Sequence, residues 1–210
     1  MVLTKKKLLI GGLIIVMVAA ATVWLLFSKK PKQAPSTVTY STDTPSEKRP
    51  EEEGYVWRGG PSEPKKLKIG SIEVDAFVQK VGVDQNKQIA VPTNIFLTGW
   101  FDQSQKPGER GLSIIDGHLD GRMTGSKAVF WRLGEMKKDQ VVEVIFGNNS
   151  TRKFSVMTVE TVPTQKAAAI LFSQDPKVES QLNLITCTGT YDKSAKSYSE
   201  RIIVTTKLIN

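Results

Sequence analysis

The sequence predicts an all-β dominated fold, a closed barrel or sandwich with short helices, set behind a membrane-spanning helix and a disordered tether. Three observations carry this. An uncharged apolar run fills residues 8–27, proline and polar side chains crowd residues 28–66, and short apolar segments with strand periodicity recur from Leu67 onward.

The apolar run comes first. Lys5, Lys6 and Lys7 precede it, and Lys29, Lys30 and Lys32 follow it. From Leu8 to Phe27 it is long enough for a helix to cross a bilayer core of about 30 Å. A cleaved signal peptide is the competing reading, because Ala19, Ala20 and Ala21 offer small residues to a peptidase. Signal-peptide cores stop after roughly 7–15 residues, whereas this run continues through Val23, Trp24, Leu25, Leu26 and Phe27. Trp24 suits the interfacial aromatic belt. A single pass over 8–27 is expected; three lysines on each side barely orient it, and the free α-amine tips residues 1–7 toward the cytoplasm, with the remainder outside the cell.

Residues 28–66 hold six of the ten prolines, together with the acidic run Glu51, Glu52 and Glu53. Such a composition buries too little apolar surface to offset its ordering entropy, so the segment reads as an extracytoplasmic linker. Tyr55, Val56 and Trp57 are the exception and are candidates to dock on the domain that follows.

That domain is expected over 67–210. Ile72, Val74, Ala76 and Val78 alternate with Ser71, Glu73, Asp75 and Phe77, the period of a half-buried strand. Further strands are expected at 113–116, 141–146, 153–159, 182–186 and 201–208. Gly147, Asn148 and Asn149 mark a hairpin between two of them. Helical pieces are expected near 128–133 and near 166–172, where Ala167, Ala168 and Ala169 favour helix.

Charge narrows the function classes. The chain carries 29 Lys and Arg against 21 Asp and Glu. Residues 1–66 hold 11 of the basic and 6 of the acidic groups, so the excess sits mainly ahead of the folded domain. A nucleic-acid-binding domain should concentrate it within the folded part. One histidine and one cysteine cannot close a metal site, and no cofactor motif stands out.

Cys187 ends the apolar segment from Leu182 and is followed by Thr188 and Gly189. A strand leaving the core is thus expected to carry the thiol. A free cysteine is equally often a small buried hydrophobe. His118, the only histidine, also ends a β run that begins at Ser113. A lone Cys with a His elsewhere in the chain is a candidate nucleophile and base. Arg201 opens the last strand. If that strand pairs antiparallel with 182–187, Arg201 lies across from Cys187.

These residues resemble the sortase family. Leu184-Ile185-Thr186-Cys187-Thr188-Gly189 is similar to the sortase cysteine signature, and Asp116-Gly117-His118-Leu119-Asp120 to its histidine motif. Arg201 follows Cys187 by 14 positions, as the sortase arginine does. Gly99-Trp100-Phe101, Lys106-Pro107-Gly108 and 128–134 most resemble the class F branch. Asp116 departs from it, standing where class F has Ala. Its carboxylate either raises the pKa of His118 or faces solvent on the other side of the strand.

The resemblance implies a sortase β-barrel and a cysteine transpeptidase. Cys187 would attack the Thr–Gly carbonyl of a Leu-Pro-x-Thr-Gly-like sorting signal on a surface protein. His118 would move the amine proton and Arg201 would stabilise the oxyanion, with Thr186 and Thr188 lining the substrate site. The amine acceptor would be a peptidoglycan precursor or a pilin lysine. With ordinary pKa values, thiolate and imidazolium coexist at pH 7 in only about 1% of molecules, so turnover is expected to be slow. Two other readings stay open: an anchored β domain that binds a surface partner, with Cys187 inert and buried, and a surface cysteine protease.

Overall fold

The computed structural model describes residues 44–210. The expected cytoplasmic N-terminus, the anchor over 8–27 and the first part of the linker lie outside the described residues. Among the described residues no helix is long and apolar enough to cross a membrane.

Eight strands close into a barrel. They are β1 (Pro64–Ile69), β2 (Val74–Val81), β3 (Thr98–Phe101), β4 (Gly111–Gly117), β5 (Val141–Phe146), β6 (Thr151–Pro163), β7 (Ser180–Asp192) and β8 (Ser197–Leu208). One α-helix, α1 (Thr164–Leu171), joins β6 to β7. Around the barrel the order is β1-β2-β3-β4-β7-β8-β6-β5. The pairs β2–β3 and β4–β7 are parallel; the other neighbours are antiparallel. Closure leaves no open sheet edge.

Strand alternation sorts the side chains onto two faces. The inward set includes Leu67, Ile69, Ile115, Val144, Phe154, Leu182, Leu184 and Val204, with Phe130 and Leu133 closing the core. Each such fully buried side chain contributes roughly 1.5–3 kcal/mol. A second cluster lies on the outer face, where Phe101, Ile114 and Ile203 pack with Val162, Ala167 and Leu171, flanked by Ile185 and Val83. Helix α1 seals that cluster. Its C-terminal end is held by buried amides of β7: Asn183 Nδ2 donates to Leu171 O at 2.8 Å, and Gln181 Nε2 donates to Ser173 O at 2.9 Å. Buried amides left unpaired would be costly, so this pairing fixes the seat of the helix.

Several expectations are met and several corrected. The strand over 141–146 and the hairpin at 147–149 are present, and the helix near 166–172 is α1. The strand expected from Ser71 begins only at Val74, because Gly70–Ile72 forms a 3-10 turn and Glu73 takes φ 62° to reverse the chain into β2. No helix forms near 128–133; the chain makes turns there and a short 3-10 piece at Leu133–Glu135, since Phe130 and Leu133 plug the barrel. From residue 44 onward the expected linker is bonded to the barrel rather than free. Trp57 Nε1 donates to Val78 O at 3.0 Å and Tyr55 stacks 5.6 Å from Phe77, as the aromatic residues suggested. Ser46 forms a parallel bridge with Asn94, and β1 already starts at Pro64.

Candidate active site

Adjacent strands bring the three candidate residues together. On β7 and β8, Cys187 lies directly opposite Arg201, with Ile185 opposite Ile203. The antiparallel pairing expected from the sequence is therefore present. On the other flank of β7, β4 runs parallel with Asp116 opposite Ile185. One step further, Thr186 Oγ1 donates to Gly117 O at 2.9 Å. His118 leaves β4 at that point, beside the stretch of β7 that carries the thiol. Cys187 is half-buried and unpaired in any disulfide. It does not end its strand, as expected, because β7 continues to Asp192.

Each side chain has a defined support. His118 Nε2 is 2.8 Å from Pro92 O. A carbonyl only accepts, so Nε2 carries a proton and Nδ1 is the nitrogen left to exchange one. Arg201 Nη1 donates to Thr164 Oγ1 at 2.9 Å, Tyr198 O at 3.0 Å and Glu200 O at 2.8 Å, while Nη2 donates to Ser197 Oγ at 3.2 Å. Thr164 is the first residue of α1, and its Oγ1 donates a hydrogen bond to Tyr198 O at 2.7 Å. The helix thus orients the guanidinium. Thr186 is buried and spends its hydroxyl on Gly117; Thr188 is half-exposed beside Cys187.

The sortase domain family model matches residues 67–209. The chain belongs to the sortase family. Its barrel is similar to a lid mutant of sortase A from Corynebacterium diphtheriae (TM-score 0.54, 19% identity, 73% of each chain covered). It is also similar to sortase C-1 from Actinomyces oris (TM-score 0.51, 20% identity, 82% of this chain and 90% of that chain). A third likeness is to a Clostridium perfringens sortase D5 transpeptidase (TM-score 0.51, 19% identity, 70% and 79%). At these identities the likeness concerns the fold. No match was found among curated proteins.

Burial dominates the electrostatics of this sortase. Desolvation pushes the Cys187 thiol above its ordinary value; the Arg201 and Arg122 cations oppose it, and Asp116 and Asp120 reinforce it. Burial also pushes His118 below its ordinary value, against the Pro92 carbonyl and Asp120 but together with Arg122. Both shifts favour the neutral pair. The thiolate–imidazolium fraction is therefore smaller still than the roughly 1% given by ordinary pKa values.

Asp116 meets neither sequence expectation. It does not face solvent, being only 6% exposed, and held neutral it offers His118 no carboxylate charge. Gly99 sits across from it on β3, and a Cβ at Gly99 would come within 2.2 Å of Asp116 Oδ1. The missing side chain makes the space that the carboxyl fills. Oδ1 has no hydrogen-bond partner, and burial holds the group protonated well above the ordinary carboxyl value of 3.8. A group whose folded pKa is raised lends its full stability below the unfolded value and loses it as pH rises toward the folded one. Asp116→Asn, which cannot ionise, should therefore gain on the wild type as pH rises above 3.8, by about 1.4 kcal/mol per pH unit within the window between the two pKa values. Urea midpoints measured at a series of pH values test this, and a gap that does not change with pH would refute it.

A polar latch beside the site escaped the sequence. Tyr198 Oη donates to the Asp120 carboxylate, 2.8 Å from Oδ1 and 2.6 Å from Oδ2. Arg122 Nη1 donates to Tyr191 Oη at 3.0 Å, its guanidinium lies 5.0 Å from the Tyr191 ring centroid, and the two tyrosine rings are 5.1 Å apart. The loop after His118 is thereby joined to the β7–β8 hairpin. The available signal was the placement of two of the chain's four tyrosines between Cys187 and Arg201.

Proposed function

We propose that this sortase is a membrane-anchored cysteine transpeptidase acting outside the cell on Leu-Pro-x-Thr-Gly-like sorting signals of surface proteins. His118 Nδ1 takes the Cys187 thiol proton as Sγ attacks the Thr carbonyl carbon; the Thr–Gly bond then breaks and the Gly amine leaves with that proton. An amine from a peptidoglycan precursor or a pilin lysine then attacks the thioester carbon. His118 takes its proton, and a new amide releases the thiol. Arg201 donates to the oxyanion in both steps. Thr188 lines the acyl site, while Thr186 acts from beneath by holding Gly117 and so the base of His118. The motifs at Gly99-Trp100-Phe101, Lys106-Pro107-Gly108 and 128–134 support a class F reading, with residues 8–27 as the anchor.

The observation that supports this reading most is the direct pairing of Cys187 with Arg201 beside the strand end that delivers His118. An inert structural cysteine has no need of a guanidinium fixed by four hydrogen bonds at its side.

Transfer to an amine separates a transpeptidase from a protease. Water is present at about 55 M, so the enzyme must protect its thioester; loops on a rigid scaffold carry such preferences. With a Leu-Pro-x-Thr-Gly peptide and a Gly-type amine, mass spectrometry should show product diverted from free Leu-Pro-x-Thr to the ligated peptide. Shortening residues 193–196, the turn between β7 and β8, which spares Ser197 and Tyr198, should change that ratio more than it changes acylation. Efficient hydrolysis with no ligation at ample amine would make the chain a surface cysteine protease instead.

A further inference from the structure

The segment ahead of the barrel reaches both structures that hold His118. On one side, Ser46 N donates to Thr93 O at 2.8 Å and Ile95 N donates to Ser46 O at 2.9 Å. Asn94, only 4% exposed, donates through Nδ2 to Lys48 O and to Glu53 Oε2, each at 2.9 Å. Residues 93–95 directly follow Pro92, whose carbonyl is the partner of His118 Nε2. On the other side, Glu47 accepts from Met123 N at 2.8 Å, from Thr124 N at 3.0 Å and from the Thr124 hydroxyl. Those residues belong to the loop that leaves His118. Gly121 in that loop is packed so closely that a Cβ would come within 2.5 Å of the Glu47 carboxyl. Hydrogen bonds to Thr124 and Met123 hold Glu47 below the usual carboxylate range, so the contact is charge-assisted.

Two consecutive residues, Ser46 and Glu47, therefore tie down the acceptor of the imidazole proton and the backbone that follows the imidazole. The charged groups acting on His118, Asp120 and Arg122, stand on the Glu47-bound loop and are carried with it. Barrel strands hold the same two segments elsewhere, Gln79 of β2 at Thr93 and Tyr198 and Tyr191 at Asp120 and Arg122; the strap adds a restraint at Asn94 and at residues 123–124, from residues the sequence assigned to the linker.

We propose that Ser46–Glu53 is a positioning strap for His118, setting the Pro92 carbonyl and the 119–124 loop against the imidazole and so fixing its tautomer and proton affinity. The assignment of His118 as the acid and base rests on the transpeptidase reading; the geometric role of the strap does not. Since the strap is the continuation of the linker, undocking it would slow proton transfer without touching the substrate site.

His118 is the only histidine in the chain, so nitrogen NMR of the full-length protein labelled at histidine and held in detergent micelles reads it without assignment. The wild type should show the Nε2–H tautomer and a titration below 6.5. Glu47→Ala should mix the tautomers, move the titration up toward 6.5, and lower kcat by up to about 100-fold, the cost of a misplacement near 1 Å, with KM within about twofold. Glu47→Gln, which keeps one acceptor oxygen, should recover part of each effect. If Glu47→Ala fails to fold, Thr124→Val, which removes the hydroxyl that bonds Glu47 and, within the loop, Ser126, should shift the same signals in the same direction. Wild-type nitrogen shifts and titration in a folded Glu47→Ala or Thr124→Val overturn the strap. A strap-dependent imidazole in a protein that processes no sorting peptide would leave the strap standing and refute the transpeptidase reading.

Discussion

Cys187→Ala is expected to abolish cleavage of a Leu-Pro-x-Thr-Gly peptide, because the chain holds no second thiol to take over. The thiol is half-buried on the outer face of the barrel, so its loss removes little packing, and the melting temperature should stay within a few degrees of wild type. His118→Ala should fall by about 10²–10⁴-fold in kcat/KM, the usual contribution of a positioned acid and base. Cleavage rates from chromatography, with circular dichroism as a check on folding, measure both. Cleavage by Cys187→Ala above background would remove Cys187 as the nucleophile.

Arg201→Ala is expected to lower kcat/KM by about 10²–10³-fold, the cost of losing one oxyanion donor, and also to change the pH profile. In the wild type the acid limb should lie below 6.5 and the alkaline limb above 9.0, because burial lowers His118 and raises Cys187 from those ordinary values. The Arg201 cation is the largest influence opposing the rise of Cys187. Without it the alkaline limb should move higher still. Arg201→Lys separates charge from geometry. An ammonium keeps the limb near its wild-type position, but it cannot bond Thr164, Tyr198 O, Glu200 O and Ser197 while also presenting a donor fork. The rate should therefore stay low. Near-normal turnover in Arg201→Ala would exclude Arg201 from the mechanism.

The sequence made the barrel legible where one face of a strand is buried. Val74, Ala76 and Val78 alternate as expected because the barrel interior accepts every second side chain. It misled where packing overrides local preference. The apolar spacing of 128–133 looks helical, yet Phe130 and Leu133 serve as plugs at the barrel end. The site was legible through residue types that are rare in this chain, a lone Cys and a lone His, and through the strand pairing that puts Arg201 opposite Cys187. Supports formed by distant contacts were not. Pro92 meets His118 across 26 positions, Glu47 meets Thr124 across 77, and Asp120 meets Tyr198 across 78. No local periodicity encodes such pairs. Asp116 was noticed as a departure but misplaced, because the space it occupies depends on the absent side chain of Gly99 on another strand.

The central claim is that Cys187 carries the acyl group of the sorting signal. The most direct measurement is intact-mass spectrometry of the protein after acid quench, milliseconds to minutes after mixing with a Leu-Pro-x-Thr-Gly peptide and no amine. The account predicts an adduct equal to the Leu-Pro-x-Thr acyl group, mapped by proteolysis to the peptide containing Cys187, discharged by added amine and absent in Cys187→Ala. Peptide cleavage that proceeds while Cys187 stays unmodified and free to react with a thiol reagent would contradict it.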